Sequence, residues 1–185
     1  MKKSIKILLV IPTLELGGAE RQAIRLAKYL KKNSFTVEVW GFNSPYGLGA
    51  KLCNEFGIRN KCLHFYGGLG RFRYPLQILK YALIFKKFSP DIIYSFCDGP
   101  NVLCGLVWKL SGAEKFIWGQ RSNLIKYENK KLFKKALNNT KICISNSEVG
   151  LNAIKKINTS KEIKYFVIRN GKNFDKTKIE NKWFA

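Results

Sequence analysis

The sequence predicts an α/β fold with a doubly wound parallel sheet of about seven strands and helices on both faces. Short runs rich in β-branched and aromatic residues alternate with longer segments that carry apolar residues at helical spacing. The strand runs are apolar at nearly every position, which is typical of parallel strands that are covered on both sides. Because crossovers between parallel strands are right-handed, this alternation gives a doubly wound, Rossmann-like arrangement.

The predicted elements follow one another with clear boundaries. A strand at 5–11 leads through a glycine pair into a helix at 18–32, and a strand at 36–42, a weaker helix at 48–56 and a strand at 61–66 come next. Pro75 suits the first turn of a helix at 75–88, which Ser89 and Pro90 close. The remaining elements are strand 91–96, helix 99–110, strand 115–119, helix 129–138, strand 141–145, helix 147–156 and strand 163–168.

The composition is ordinary for one compact domain except in charge. The chain has 185 residues, and its 46% apolar content is enough for a hydrophobic core. The 34 Lys and Arg residues exceed the 12 Asp and Glu residues and give a net charge of +22. Such an excess indicates an anionic partner or a membrane surface, and compositional bias is the alternative.

The cysteines and the first residues bear on location. The five cysteines (Cys53, Cys62, Cys97, Cys104 and Cys143) are scattered and form no C-x-x-C pair, so we expect no disulfide framework, no metal site and a reducing cytoplasm. The basic start resembles a signal peptide, but its apolar run is short and meets Glu15 without a cleavage site. No run reaches the roughly 18–20 apolar residues of a spanning helix, which predicts a soluble or peripheral protein.

Gly17 and Gly18 lie where a doubly wound sheet usually contacts a phosphate, after its first strand. Glycines there let a ligand approach the backbone, and the following helix offers free N–H groups to an anion. The segment is neither G-x-G-x-x-G nor G-x-x-x-x-G-K-[ST], which argues against a nicotinamide, flavin or P-loop site. From these residues alone, a tight turn and a phosphate site remain equal alternatives.

Five segments in order resemble glycosyltransferase family 4, whose members have the GT-B fold. IPTLELGGAERQAIRLAKYL resembles the opening strand and GGAER segment of that family, and SPDIIYSFCDGPN resembles its fourth strand and S-F-x-D-x-x-N loop. FIWGQRSN is similar to its fifth strand with an R-S-N or H-S-N loop, ICISNSEVG to its I-S-N-S-E-x-G segment, and VIRNGKNFD to the end of its first domain.

The resemblance implies one half of a GT-B enzyme. Residues 1–173 would form the N-terminal, acceptor-binding domain, and 174–185 the start of an interdomain linker or a truncated continuation. Such enzymes transfer a sugar, with retention, from a nucleotide-sugar co-substrate to an acceptor, here a lipid-linked oligosaccharide, capsule or lipopolysaccharide. The E-x7-E carboxylates of the donor domain are absent. We therefore expect an inactive fragment that needs the donor domain in cis or a partner chain in trans.

The same resemblance supplies candidate site residues. Gly17, Gly18 and Arg21 would lie beside the donor phosphates, and Asp98 would bind or deprotonate the attacking hydroxyl. The alternative for Asp98 is a helix cap. Arg121 stands where many relatives carry histidine, and a guanidinium binds a phosphate or a developing charge but is not a base. Further candidates at the same edge are Asn123, Ser145, Asn170 and Gly171, whereas Ser147 is predicted to be a helix N-cap.

Two basic segments predict a surface for an anionic membrane or a lipid acceptor. The first, GRFRYPLQILKYALIFKKF, interleaves aromatic residues with Arg71, Arg73, Lys80, Lys86 and Lys87. The second spaces Lys126, Lys130 and Lys134 along one helix face. The alternative in both cases is a solvated edge of a helix packed on the sheet. A Rossmann-like binding module without catalysis, docking nucleic acid or a protein, is the competing function, although no nucleic-acid recognition motif supports it.

Overall fold

The computed structural model describes residues 4–63, 74–160 and 162–171. Its strands are β1 (Lys6–Ile11), β2 (Thr36–Gly41), β3 (Arg59–Cys62), β4 (Ile92–Phe96), β5 (Lys115–Gln120), β6 (Ile142–Ser145) and β7 (Lys164–Val167). Its helices are α1 (Gly18–Lys32), α2 (Leu48–Glu55), α3 (Tyr74–Phe88), α4 (Asp98–Val107), α5 (Lys130–Asn138) and α6 (Glu148–Ile157). Strand and helix alternate as the sequence predicts.

The seven strands form one parallel sheet in the order β3-β2-β1-β4-β5-β6-β7. The order reverses between β1 and β4, so the connections leave this point in opposite directions and open a crevice at the carboxyl ends of the two strands. The loops after β1, β4, β5 and β6 are neighbours along that edge. The predicted Rossmann-like fold is confirmed.

The helices are divided unequally between the two faces of the sheet. One core contains Ile24 of α1 and Cys53 of α2 against β1 and β2, and the other contains Phe85 of α3, Leu103 of α4 and Phe133 of α5. Helix α6 packs on the second side as well. Helices therefore cover both faces, with α1 and α2 on one side and α3 to α6 on the other.

The α1 side is covered only in part. Ile117 of β5 and Ile144 of β6 point to this side and are half-buried, while Phe166 of β7 is 48% exposed. Among the described residues, no helix lies over this part of the sheet, because both helices of that face follow β1 and β2. The apolar rows of β5 to β7 are thus open on one side.

Some boundaries differ from the predicted ones. Strand β3 lies at Arg59–Cys62, so it begins two residues before the predicted start at 61, and it alternates exposed and half-buried residues because it is an edge strand that pairs only with β2. Helix α4 begins at Asp98 and ends at Val107, so the predicted helix of 99–110 is one residue late at its start and too long at its end.

Several predicted features lie outside the described residues. They are Arg71 and Arg73 of the first basic segment, positions 64–66 of the predicted third strand, and the domain limit at 173 with the linker at 174–185. Within the described ranges, no helix has the length and apolar character needed to cross a membrane. The five cysteines are all free thiols.

Candidate functional site at the carboxyl edge of the sheet

The loop after β1 places two glycines at the start of α1. Gly17 is the N-cap with extended backbone, and its carbonyl accepts the first helical hydrogen bond, from the Arg21 N–H at 3.0 Å. A Cβ on Gly17 would collide with the carboxylate of Glu20, which is buried beneath it. A Cβ on Gly18 would meet no atom within 4 Å. A side chain at position 17 would therefore displace the Glu20 carboxylate, whereas the space beside Gly18 is open.

The loop after β4 contains a strained residue. Cys97 has φ 69° and ψ 168°, a conformation that glycine adopts readily and other residues rarely. The Cys97 N–H donates to the Gly119 carbonyl at 3.1 Å, and the Asn101 N–H donates to the Cys97 carbonyl at 3.0 Å. These bonds hold the turn and direct the next residue, Asp98, into the first turn of α4.

Asp98 does not cap the helix, which was the structural alternative for it. One carboxylate oxygen, Oδ2, accepts a hydrogen bond of 2.9 Å from the Lys126 N–H in the loop after β5. The other oxygen, Oδ1, is buried without a hydrogen-bond partner. The carboxylate thus connects two loops of the edge, and its Oδ1 is enclosed without a hydrogen-bond partner.

Burial raises the pKa of Asp98 above the ordinary value of an aspartate. The Lys126 N–H, the Gln120 side chain, the Lys130 charge and the Tyr127 N–H oppose the shift without cancelling it. Gln120 and Tyr127 are close enough to stabilise the negative charge of the Asp98 carboxylate, but neither is within hydrogen-bond geometry of Oδ1. An aspartate with a raised pKa and a free oxygen is suited to accept a proton.

Arg121 follows β5 and turns toward the α1 side of the sheet. Its Nη2 donates to the Tyr94 hydroxyl at 2.7 Å, and its Nη1 makes a longer bond of 3.4 Å to Oδ1 of Asn170. The guanidinium lies 4.9 Å from the ring centre of Phe96, which stacks on Tyr94. Its Nε is buried without a partner. Arg121 therefore links the ends of β4, β5 and β7.

A cavity of about 260 Å³ lies beside Arg121, between α1 and the open part of the sheet. It is lined by Gln22, Leu26, Tyr94, Phe96, Arg121, Ile144, Ile168, Arg169, Asn170 and Gly171. Two predicted site residues that follow the last strand, Asn170 and Gly171, thus lie next to Arg121. Asp98 lies away from this cavity, on the side of the Lys126 loop.

The thiol of Cys97 lies within electrostatic range of both groups of residues. Its pKa is raised to about 12, first by burial and then by the negative charges of Glu20 and Asp98, while Arg121 opposes the shift. The loop after β1, Asp98 and Arg121 are therefore close neighbours around Cys97. At neutral pH this thiol is protonated and is not a nucleophile.

The loop after β6 is held by its own hydroxyl groups. Ser147 is the N-cap of α6, as predicted, and its Oγ accepts from the Gly150 N–H at 3.1 Å and donates to Asn123 Oδ1 at 2.8 Å. Ser145 is fully buried, and its Oγ donates to the Ser147 carbonyl at 2.8 Å. Asn123 thus lies at the edge, with Ser145 supporting the loop from below.

The two basic segments have different positions. Lys80, Lys86 and Lys87 are exposed on α3, away from the loops of the carboxyl edge, while the aromatic residues Tyr81 and Phe85 of the same helix are buried in the core. Tyr81 and Phe85 are therefore not part of the predicted basic and aromatic surface, and the three lysines remain candidates for it. In the second segment, Lys126 and Lys130 lie beside Asp98.

Sequence reasoning missed the residues that hold the site together. Asn101 is fully buried, and its side chain makes three hydrogen bonds. Its Nδ2 donates to the Gly119 carbonyl at 3.0 Å. Its Oδ1 accepts from the Gly119 N–H at 3.3 Å and from Ser95 Oγ at 2.5 Å. Tyr94 and Phe96 likewise form the platform for Arg121. In the sequence, Asn101 is the last position of the S-F-x-D-x-x-N motif, and Tyr94 and Phe96 are alternate residues of β4; these were the signals that could have identified them.

No group of three or more His, Cys, Asp or Glu side chains suited to a metal occurs in the described part.

The fold is that of a Rossmann-like domain whose candidate ligand-binding residues lie at the carboxyl edge of the sheet, as in one half of a GT-B glycosyltransferase. A family model described as Glycosyltransferase Family 4 matches residues 16–176. The chain belongs to glycosyltransferase family 4. The recognition made from the five segments is thereby confirmed.

Solved structures agree with this assignment in fold. HepE of Anabaena, in complex with UDP and glucose, has 18% identity and a TM-score of 0.68 over 91% of this chain and 45% of its own. A glycosyltransferase of Rickettsia africae ESF-5 has 25% identity and a TM-score of 0.67 over 91% and 44%. The lipopolysaccharide outer core galactosyltransferase WaaB has 17% identity and a TM-score of 0.63 over 91% and 46%. The chain spans less than half the length of these proteins, and no curated protein matches it.

Proposed function

We propose that this chain forms the acceptor side of a glycosyltransferase that transfers a sugar from a nucleotide-sugar donor to a lipid-linked or cell-surface glycan. The observation that carries the proposal is the free, buried Oδ1 of Asp98, with a raised pKa, on the same edge as the open space beside Gly18. Membership of family 4 and the similarity to structures that hold UDP and glucose support the donor class.

Asp98 is assigned the role of the base that binds and deprotonates the acceptor hydroxyl. In the proposed reaction its Oδ1 accepts the hydrogen of the attacking hydroxyl while Oδ2 stays bonded to the Lys126 N–H. The hydroxyl oxygen then forms the new bond to the anomeric carbon on the same face from which the nucleoside diphosphate departs with the electrons of the old bond, so that the configuration is retained. The raised pKa makes the carboxylate a stronger base at neutral pH than an exposed aspartate.

The start of α1 is assigned the role of binding the diphosphate of the donor. The open space at Gly18 lets a phosphate approach the backbone, and the first N–H groups of the helix point toward it with the positive end of the helix dipole. Arg21 in the same turn adds a positive charge. Gly17 keeps the turn compact over Glu20.

The remaining candidates are assigned to the rim around these two centres. Arg121 stabilises negative charge that develops on the leaving phosphate, from a position fixed by Tyr94 and Asn170. Asn123 borders the acceptor, Gly171 lies beside Arg121 in the cavity on the donor-phosphate side, and Ser145 acts by holding the loop after β6. Transfer with retention and without a metal is part of the proposal.

The donor half is proposed to come from outside these residues, in cis or from a partner chain. The support is that the chain spans only 44–46% of the length of similar transferases. The enzyme would work in the cytoplasm, peripheral to the inner face of the membrane. Turnover of a nucleotide sugar by the 185-residue chain alone would refute the need for a second half.

Asp98→Asn in the protein joined to its donor half tests the assignment. We expect kcat/KM to fall by at least about 100-fold, the usual contribution of a general base. Glu55→Gln, an exposed charge of α2, is the matched control and should leave the rate unchanged. The wild type should lose activity as pH falls through a pKa above that of an ordinary aspartate. A variant within twofold of wild type, with the same acid limb, would remove Asp98 from the reaction.

A further inference from the structure

Helix α3 carries a row of exposed leucines on the side that faces away from the sheet. Leu76 is 70% exposed, Leu79 53% and Leu83 52%. At about 3.6 residues per turn, these positions fall within roughly 60° of one another around the helix axis. Tyr81 and Phe85, which are buried in the core, lie on the opposite side. The leucines form a ridge, defined here as Leu76, Leu79 and Leu83, that the fold of the described residues does not use.

Three exposed lysines flank this leucine ridge. Lys80 and Lys87 lie on one side of it and Lys86 on the other, at the angles that a helix of about 100° per residue gives. No acidic residue occurs in α3, and no salt bridge among the described residues engages these lysines. The face therefore combines contiguous apolar side chains with uncompensated positive charge.

We propose that this face of α3 docks on the surface of an anionic phospholipid bilayer. The leucine ridge lies among the upper acyl chains, and Lys80, Lys86 and Lys87 contact the phosphates of the headgroups. A lipid surface fits both parts of the face, because it is apolar below its headgroups and negative at them. A nucleic acid would satisfy the lysines and leave the leucines in water.

The position of α3 relates this surface to the carboxyl edge. The helix connects β3 to β4, which are parallel, so it begins at the carboxyl edge of the sheet and ends at the amino edge. Leu76 thus lies at the end nearer the proposed acceptor site, and Lys86 and Lys87 lie at the far end. The inference deepens the proposed peripheral location, but it does not depend on sugar transfer.

Co-sedimentation of the purified protein with vesicles tests the proposal. The vesicles are phosphatidylcholine alone or phosphatidylcholine mixed with phosphatidylglycerol, at physiological ionic strength. We expect binding to the mixed vesicles, and a fall in the partition coefficient of at least about tenfold for Leu76→Ser/Leu79→Ser/Leu83→Ser, since each loses buried apolar area. The matched control is Leu48→Ser/Leu110→Ser/Leu124→Ser, which removes three leucines of similar exposure elsewhere and should bind as wild type.

A second pair of variants separates a specific face from the general positive charge. Lys80→Glu/Lys86→Glu/Lys87→Glu should lower binding by at least about tenfold more than Lys131→Glu/Lys134→Glu/Lys135→Glu, which makes the same charge change on exposed positions of α5. Equal losses for the two lysine sets, or no loss for the ridge variant, would overturn the proposal. A ridge-dependent dimer in solution without vesicle binding would overturn it too, as would binding of RNA that outcompetes the vesicles. Sugar transfer is not measured in any arm, so these outcomes are independent of the proposed function.

Discussion

Replacing Asn101 with alanine probes the connection between the two strands that carry Asp98 and Arg121. The amide of Asn101 makes three hydrogen bonds in a fully buried position: two with the backbone of Gly119 in β5 and one with the hydroxyl of Ser95 in β4. Alanine removes all three and leaves their partners in a site without water. The ends of β4 and β5 then lose the side chain that joins them.

The structure sets the magnitude of this loss. The Gly119 carbonyl keeps a second donor, the Cys97 N–H at 3.1 Å, and Gly119 is paired with Phe96 in the sheet, so the cost falls mainly on the buried Ser95 hydroxyl. A buried group that loses its partner costs about 1–3 kcal/mol. We therefore expect Asn101→Ala to lower the free energy of unfolding by about 1–3 kcal/mol, which corresponds to a Tm lower by roughly 2–12 °C for a chain of this size.

Urea unfolding followed by circular dichroism measures the effect, and a double-mutant cycle gives its origin. Ser95→Ala alone should cost about 1 kcal/mol, and the double variant should cost less than the sum, because the hydroxyl is no longer left unpaired. Asn60→Ala, which breaks an exposed bond of 2.7 Å to Asn54, is the control and should change stability by less than about 0.5 kcal/mol. A loss below about 0.5 kcal/mol for Asn101→Ala would refute the reasoning.

Three further predictions concern the edge of the sheet and the thiols. Gly18→Ala should raise Tm slightly, because its Cβ meets no atom and alanine favours the helix, yet lower sugar transfer; Gly17→Ala should bring no such gain in Tm, because its Cβ displaces the buried Glu20 carboxylate. If Gly18→Ala has full activity, no ligand approaches that position. Asp98→Asn should raise stability at pH 7, as measured by thermal melts, because the fold disfavours the charged carboxylate. That gain appears as pH rises through the window between the ordinary aspartate pKa and the raised one, and an unchanged gain at acidic pH would contradict it. In native protein at pH 8, Cys62 should react first with a disulfide reagent, since burial raises the pKa of Cys53 and Cys143 to about 12; equal rates for all thiols would contradict the described burial.

The order and type of the elements could be predicted because they follow from local pattern. Apolar runs such as 5–11 and 91–96 are long enough to identify buried strands, and Pro75 and Ser147 identify helix starts. The start of strand β3 was misplaced for a physical reason: an edge strand buries only alternate residues and has no continuous apolar run. Its pattern is therefore weak.

The candidate site was predictable in outline, from the loops that follow β1, β4, β5 and β6. The roles within it were less so. Asp98 before Gly99 and Pro100 indicated a helix cap as readily as a functional carboxylate, and only the Lys126 N–H, 28 residues away, shows that its side chain bonds to another loop. The membrane face was similar: the sequence suggested basic and aromatic groups together on α3, whereas packing buries Tyr81 and Phe85 and exposes leucines.

By itself the sequence determined the α/β alternation, the glycine turn after β1, the family and the strongly positive charge, because these depend on neighbouring residues and on composition. Only the tertiary structure decided the strand order, the partners of Asn101, Asp98 and Arg121, and which side of α3 meets solvent. The reason is that burial and hydrogen bonding between residues far apart in sequence exist only after the sheet has assembled. A free oxygen on Asp98 and a leucine ridge on α3 are properties of that assembly.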